Sequence, residues 1–206
     1  MVPEEIEVGA HGLVLRRWHM ADAAGLLAAI ERSLPQLRRF MPWAVEQPTP
    51  ASVEAYLADA WTAVPPETLA FGLFDAGGEV VGAFGLHGRQ GPGILEIGYW
   101  VRSDRTGRGY ATAGARALTS IAFDRFPLID RIEIRCDPAN LASAAIPPKL
   151  GYRLDRTDAV EVEAEAQTGK QQVWVLERGV VPTWRPSAGR RARPAARTPG
   201  RSRWSR

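Results

Sequence analysis

Between Leu13 and Leu176 the hydrophobic positions follow two rhythms, a period of two and a period near 3.6, and their alternation lays out a mixed α/β domain. Leu13 to Trp18 (LVLRRW) alternates apolar with basic or aromatic residues and predicts a half-buried strand. In ADAAGLLAAIERSLPQLRRF the residues Leu26, Leu27 and Ile30 fall at helical spacing, and Pro35 interrupts the run, which predicts two short helices. Thr49 supplies a capping hydroxyl and Pro50 suits a first helical position, so a helix should run through Tyr56 and Trp61 to about Ala63 and stop at Pro65 and Pro66. The runs LAFGLFD and EVVGAFGLHG flank Ala76, Gly77 and Gly78 and read as a hairpin, the glycines supplying positive φ. A second turn, Gly88 to Gly93, leads into a strand from Ile94 to Val101, giving three antiparallel strands in succession.

From there the order is strand, glycine-rich turn, helix, strand. Tyr110 to about Phe126 has a helical apolar pattern stopped by Pro127, and Arg131 to Cys136 (RIEIRC) reads as the next strand. The turn DPAN opens a helix that must end at the C-cap Gly151. Tyr152 to Leu154 and Gln172 to Leu176 then form a closing pair of strands, separated by an acidic, loop-like stretch from Asp155 to Thr168. The junction at Glu96 to Thr112 carries the chemistry, because a strand that turns through glycines straight into a helix aims several backbone N–H groups and a positive dipole end at one point. Such a site suits a phosphate or pyrophosphate. It is not a P-loop, since no Gly-Lys-Ser/Thr ending follows. A dinucleotide fingerprint also fits badly: Gly107 and Gly109 match its first half, Thr112 stands where its third glycine belongs, and antiparallel strands precede the unit.

Composition narrows the class. The 206 residues are 45% hydrophobic, enough for one buried core. The single cysteine, Cys136, rules out an intramolecular disulfide framework, and His11, His19 and His87 are too scattered for a zinc site, so no metal is expected. Acids at the N-terminus and the lack of about 18 consecutive apolar residues predict a soluble, cytoplasmic protein that does not enter a membrane. The net charge of +3 hides an asymmetry: eight arginines and no acid lie between Pro182 and Arg206, so the rest of the chain is net acidic. We therefore expect a folded domain over residues 1–180 and a disordered Arg/Pro-rich tail over 181–206, whose arginines offer at most a weak electrostatic contact to RNA or a ribosome.

Four segments in order resemble the GCN5-related N-acetyltransferases, and within them the ribosomal-protein N-terminal acetylating subgroup of RimJ/RimL type. GEVVGAFGL is similar to that family's central hairpin strand, EIGYWV to the strand before its cofactor loop, RTGRGYAT to its acyl-CoA pyrophosphate loop, and NLASAAIPPKLGY to the helix after its fifth strand. The resemblance implies a mixed, mostly antiparallel sheet of six or seven strands with helices on both faces, and acetyl-CoA as co-substrate. In its terms the pyrophosphate lies on backbone from Gly107, Arg108 and Gly109 to Tyr110 and Ala111, and Thr106 stands where Arg or Gln is usual, so that Arg105 or Arg108 either supplies the charge instead or is simply solvated. It also implies pantetheine contacts near Trp100, Val101 and Arg102 and at Asn140, the last of which equally suits a helix cap.

For the chemistry the resemblance points to Glu96 as a water-mediated base for the amine and to Ser143 as the hydroxyl nearest the sulfur, with a cross-strand ion pair and a capping role as their plain alternatives. Pro147 and Pro148 lack N–H groups, so the segment should kink and the freed carbonyls of Ser143 and Ala144 are expected to face the acetyl site and help hold an amine or ordered water. His87 at a strand end is a reserve base or a rim residue, and the aromatic run Phe40 to Trp43 either clasps helix to sheet or lines a substrate mouth. The implied reaction moves an acetyl group to a primary amine, foremost a protein or peptide N-terminus. A small-amine acetyltransferase acting on an aminoglycoside, polyamine or amino-acid derivative and a non-catalytic acyl-CoA-binding module remain as alternatives, with monomer and dimer both open.

Overall fold

The computed structural model describes residues 3–9, 12–63, 67–180 and Trp184. Its frame is an eight-stranded sheet in the order β1-β2-β3-β4-β5-β6-β8-β7. The strands are β1 (Glu5–Val8), β2 (Leu13–Arg17), β3 (Thr68–Phe74), β4 (Val80–His87), β5 (Ile94–Val101), β6 (Arg131–Cys136), β7 (Arg153–Ala159) and β8 (Lys170–Glu177). All neighbours pair antiparallel except β5 and β6, which run parallel. The sheet has one strand more than the six or seven expected: β1, EIEV, is half acidic and alternates over only four residues.

The stretch from Asp155 to Ala159 is strand rather than loop. β7 forms the outer edge, and its charged residues pair with one another and with β6 across β8, Arg153 with Asp155 at 2.7 Å, Arg156 with Asp158 at 3.1 Å and Arg131 with Asp155 at 2.7 Å. A charged edge discourages further strand addition, which is why this strand looks like a loop in sequence.

Helices α1 (Ala23–Leu37) and α2 (Pro50–Thr62) cover one face, burying Leu26, Leu34, Val53 and Leu57 against Trp18, Ala70, Phe74 and Ala83. Helix α3 (Tyr110–Arg125) and the short α4 (Leu141–Ala144) and α5 (Ile146–Lys149) cover the other, where Ala115, Leu118 and Ala122 meet Phe71, Phe84, Leu95 and Ile97. Pro35 does not split α1 as the sequence suggested. It falls in the last turn, where one lost hydrogen bond is offset by burial of Leu34 and Leu37 at about 1.5–3 kcal/mol each. Thr49 caps α2 as expected, its hydroxyl accepting from the Ser52 N–H at 3.1 Å. Pro65, Pro66, His11 and the tail apart from Trp184 lie outside the described residues. Trp184 donates its indole N–H to the Leu150 carbonyl at 2.9 Å and lies under the Arg116 guanidinium.

Helix α3 sits close on β4 because it carries glycine at the contact. A Cβ at Gly114 would lie 2.4 Å from the buried Phe84 ring. The substitution Gly114→Ala should therefore destabilise the protein by about 1–2 kcal/mol, overpacking of about 1–3 kcal/mol outweighing the gain of up to about 1 kcal/mol in helix propensity. Urea denaturation measures this, and a variant as stable as wild type would show that Phe84 has room to move.

Candidate functional site

The site begins where β5 and β6 part. Their parallel pairing covers only Ile94, Leu95 and Glu96 opposite Arg131, Ile132 and Glu133, and beyond Glu96 the two strands diverge. On its other side β5 stays paired with β4 as far as Val101 opposite Gly82, and the Arg102 N–H donates to the Val81 carbonyl at 2.9 Å. An antiparallel ladder alternates, so the backbone groups of Gly98 and Trp100 are spent on β4 while those of Tyr99 and Val101 turn into the gap. Of the three pantetheine positions expected from sequence, Val101 thus offers backbone to the gap, whereas the Arg102 side chain is buried and held by Asp104 at 2.7 Å, Glu79 at 3.2 Å and the Val80 carbonyl at 3.1 Å.

The chain then makes a tight turn into α3. Gly107 and Gly109 take φ of 75° and 79°, left-handed values that glycine tolerates without a Cβ penalty. Ala113 is the first residue of α3 whose N–H reaches back into the turn, to the Gly109 carbonyl at 2.9 Å. The N–H groups of Tyr110, Ala111 and Thr112 before it are therefore the open donors of the helix start. Thr106 donates its hydroxyl to the Ser103 carbonyl at 3.0 Å and so fixes the turn. Arg105 is taken up by Glu79 at 3.1 Å and Asp75 at 3.5 Å. Arg108 is exposed at the tip, and among the described residues no ion pair is recorded for it.

Two groups of side chains flank the gap on opposite faces. On the face shared with α1 and α2, Glu96 is buried and tied on both oxygens, to Arg89 through a bidentate pair and to Gln90 at 2.6 Å. Although burial alone would raise its pKa, the Arg89 hydrogen bonds and charge, with Gln90 and Arg135 adding to them, hold the Glu96 carboxyl below the ordinary carboxylate value. That makes it a poorer proton acceptor than a solvated carboxylate. The ion-pair alternative describes how this residue is held. Opposite Glu96 on β4 is His87, half-buried, with its imidazole over the glycine pair Gly85 and Gly98. Burial, with a smaller push from Arg89, lowers the His87 pKa, so the imidazole is neutral near pH 7.

On the face shared with α3, the Tyr99 hydroxyl lies 3.3 Å from the Ser143 Oγ and 3.4 Å from the Ser143 carbonyl, beside the buried Cys136. Burial pushes the Tyr99 phenol well up and the Cys136 thiol to about 11, so both are protonated at neutral pH. Ser143 does not cap its helix with its hydroxyl: Asn140 does so, its Oδ1 accepting from the Ser143 N–H at 3.2 Å. The prolines break the segment into α4 and α5 as expected. The freed Ser143 carbonyl, however, accepts from Tyr99 rather than standing open to the acetyl site, which removes that idea for Ser143. Tyr99 was missed in the sequence, although strict alternation along EIGYWV places it on the face opposite Glu96 and Trp100.

The mouth of the gap on the α1–α2 face is aromatic and open. Trp43 is 52% exposed and its ring centroid lies 6.3 Å from that of Trp100, with Val45 exposed beside it. The acidic β7–β8 loop closes on the same connection, the Ala166 N–H donating to the Arg39 carbonyl at 2.8 Å and the Gln167 amide to the Phe40 carbonyl at 3.2 Å. Glu161, Glu163 and Glu165 are exposed along that loop.

Known proteins share this fold. The structure of RimL, a ribosomal L7/L12 alpha-N-protein acetyltransferase in complex with coenzyme A, superposes with a TM-score of 0.76 at 17% identity over 84% of this chain and 98% of its own. Mycobacterium smegmatis RimJ in complex with CoA-disulfide superposes with a TM-score of 0.74 at 25% identity over 84% of this chain and 86% of its own. In sequence, the Bacillus subtilis (strain 168) protein "Putative ribosomal N-acetyltransferase YdaF" is 35% identical over 81 residues, which span 39% of this chain and 43% of YdaF, less than half of its length. Residues 12–153 match the model of the acetyltransferase (GNAT) domain, and since that is well over half of the sequence, the chain belongs to the GNAT acetyltransferase family.

Proposed function

We propose that this protein is an acetyl-CoA-dependent N-acetyltransferase whose acceptor is the α-amine of a protein or peptide N-terminus. The observation that carries the reading is the parting of β5 and β6 beyond Glu96, directly before the glycine turn into α3. The pantetheine arm would lie along the gap as an added strand, against Tyr99 and Val101 with Trp100 alongside, and the amide nitrogen of Asn140 would face it. The pyrophosphate would rest on the N–H groups from Gly107 to Thr112, with Arg108 as its cation, because Arg105 and Arg102 are already committed to Glu79, Asp75 and Asp104.

The reaction is direct attack of a neutral amine on the thioester carbonyl, with loss of coenzyme A as thiolate. Ser143, oriented by Tyr99, protonates that sulfur. Glu96 in this reading anchors Arg89 and Gln90 at the point of parting, since both of its oxygens are occupied. A peptide acceptor is favoured over a small amine by the open mouth: Trp43 and Val45 are exposed beside Trp100, and the acidic loop at its rim suits a basic chain following the amine.

Three outcomes are expected. By calorimetry Arg108→Ala should weaken acetyl-CoA binding about tenfold, about 1.4 kcal/mol, while Arg105→Ala leaves affinity within about twofold and lowers stability instead. The reverse pattern would move the phosphate charge to Arg105. Thiol-release assays on Ser143→Ala should show kcat reduced about 10- to 100-fold, the low end for acid–base groups because a thiolate leaves readily, with Tyr99→Phe showing part of that loss. Wild-type turnover in Ser143→Ala would take it out of the mechanism. Across a panel of peptides with varied first residues and of small amines, peptide α-amines should give the highest kcat/KM. Faster aminoglycoside or polyamine turnover would select the small-amine alternative, and acetyl-CoA binding without any turnover the binding-module alternative.

A further inference from the structure

We propose that His87 is the catalytic base of this enzyme, its imidazole Nε2 taking the proton from the acceptor ammonium directly. The inference rests on the acetyl-transfer reading above and names the group that reading leaves open.

The geometry comes from two glycines. Gly85 and Gly98 are cross-strand partners on β4 and β5, two residues further along than the pair His87 and Glu96 and on the same face. A Cβ on Gly85 would lie 2.6 Å from the His87 Nε2 and one on Gly98 3.4 Å from it, so the ring lies folded over a patch of sheet that only glycine leaves clear. The side chain is thereby turned along the sheet away from its own strand end and toward Gly98. Pairing of β5 with β6 ends at Glu96, and Gly98 is two residues beyond. The imidazole therefore stands at the start of the gap, on the face that also presents Trp100 and the exposed Trp43, while Tyr99 and Ser143 occupy the other face.

The charged groups on this face leave His87 in the right state. Glu96 from β5 would favour an imidazolium, but Arg89 and Gln90 already neutralise and hold that carboxylate, and Glu133 on β6 is covered by Arg131 at 2.9 Å and Arg135 at 2.7 Å. With burial the larger effect and Arg89 adding to it, the His87 pKa falls below its ordinary 6.5. The base is thus unprotonated at neutral pH and becomes protonated, and inactive, as pH falls through the lowered value.

The protons balance. Nε2 accepts one from the ammonium and later releases it to solvent. The neutral nitrogen forms its bond to the carbonyl carbon, the carbon–sulfur bond breaks, and the thiolate takes a proton from Ser143. As the intermediate collapses the nitrogen gives its second proton to solvent, and solvent returns one to the Ser143 oxygen, so that one proton in all is released per acetyl group transferred.

The test uses the full chain, acetyl-CoA and whichever amine wild type turns over fastest. Wild type should show an acid limb of kcat/KM below pH 6.5, and His87→Ala should abolish it, lower kcat about 10²- to 10⁴-fold, leave the acetyl-CoA dissociation constant within about twofold, and regain turnover when free imidazole is added. Gly85→Ala keeps the histidine but puts a methyl where the ring lies, and should lower kcat at least tenfold with unchanged acetyl-CoA affinity. It also reads the geometry if His87→Ala fails to fold. Wild-type kcat and an intact acid limb in either variant, or loss in His87→Ala that imidazole does not restore, overturns the assignment. If wild type acetylates small amines and no peptide, the peptide reading fails and the assignment is judged on the small amine. If wild type acetylates no amine at all, both fall.

Discussion

A backbone that leaves a sheet must satisfy its N–H and C=O groups elsewhere, and this fold places that demand at one spot, the separation of β5 from β6 after Glu96. The separation is pinned by charge. Glu96 and Glu133 are directly opposed in the last pair before the gap, an arrangement that would be repulsive by itself. Arg89 and Gln90 hold the first carboxylate, Arg131 and Arg135 the second, and Arg135 also reaches to 3.9 Å from Glu96. Removing one partner from such a cluster leaves a buried charge uncompensated, at about 3–5 kcal/mol, so the sheet opens at a fixed place.

Function follows from what each side of the opening is given. Along the gap there is only unpaired backbone, suited to an extended polar arm, and at its far end the first turn of α3 adds open N–H donors behind two glycines in left-handed conformation. The two faces differ in chemistry. Tyr99 and Ser143 beside Cys136 form a hydroxyl pair on one face, where burial keeps the phenol and the thiol protonated, and the neutral His87 lies on the opposite face; donor and acceptor are the roles proposed for them. Separation by the sheet keeps donor and acceptor from neutralising each other.

Much of this was legible in the sequence because the signals are local. The strand, glycine turn and helix from Ile94 to Arg125, the hairpin before them and the break at Ala145 ahead of Pro147 and Pro148 rest on period, turn residues and proline chemistry within a few positions. The edge strand β1 escaped because its alternation lasts only four residues, β7 was legible only as far as Leu154 because the charged residues after it carry no apolar alternation, and α1 runs through Pro35 because tertiary burial outweighs one lost bond. The site side chains divide in the same way. Gly107 and Gly109 could be read from the loop itself, whereas the pairing of Arg105 with Glu79 and Asp75 could not. The partners that decide Glu96 lie in the flexible-looking turn after β4 and on β6, and the partner that defines Tyr99 is 44 positions away on a helix. Likewise, nothing local to GLHG shows that the His87 ring covers Gly98, since that contact exists only once β4 and β5 are in register.

The central claim, that acetyl-CoA occupies the β5–β6 gap as an added strand and rests its pyrophosphate on the start of α3, is tested most directly by amide hydrogen exchange of the full chain with and without acetyl-CoA. Slowed exchange should concentrate at Tyr99, Val101 and the amides from Gly107 to Thr112, with Gly98 and Trp100, already bonded to β4, changing little. Protection that appears elsewhere and leaves Tyr99, Val101 and the loop unchanged would contradict the account.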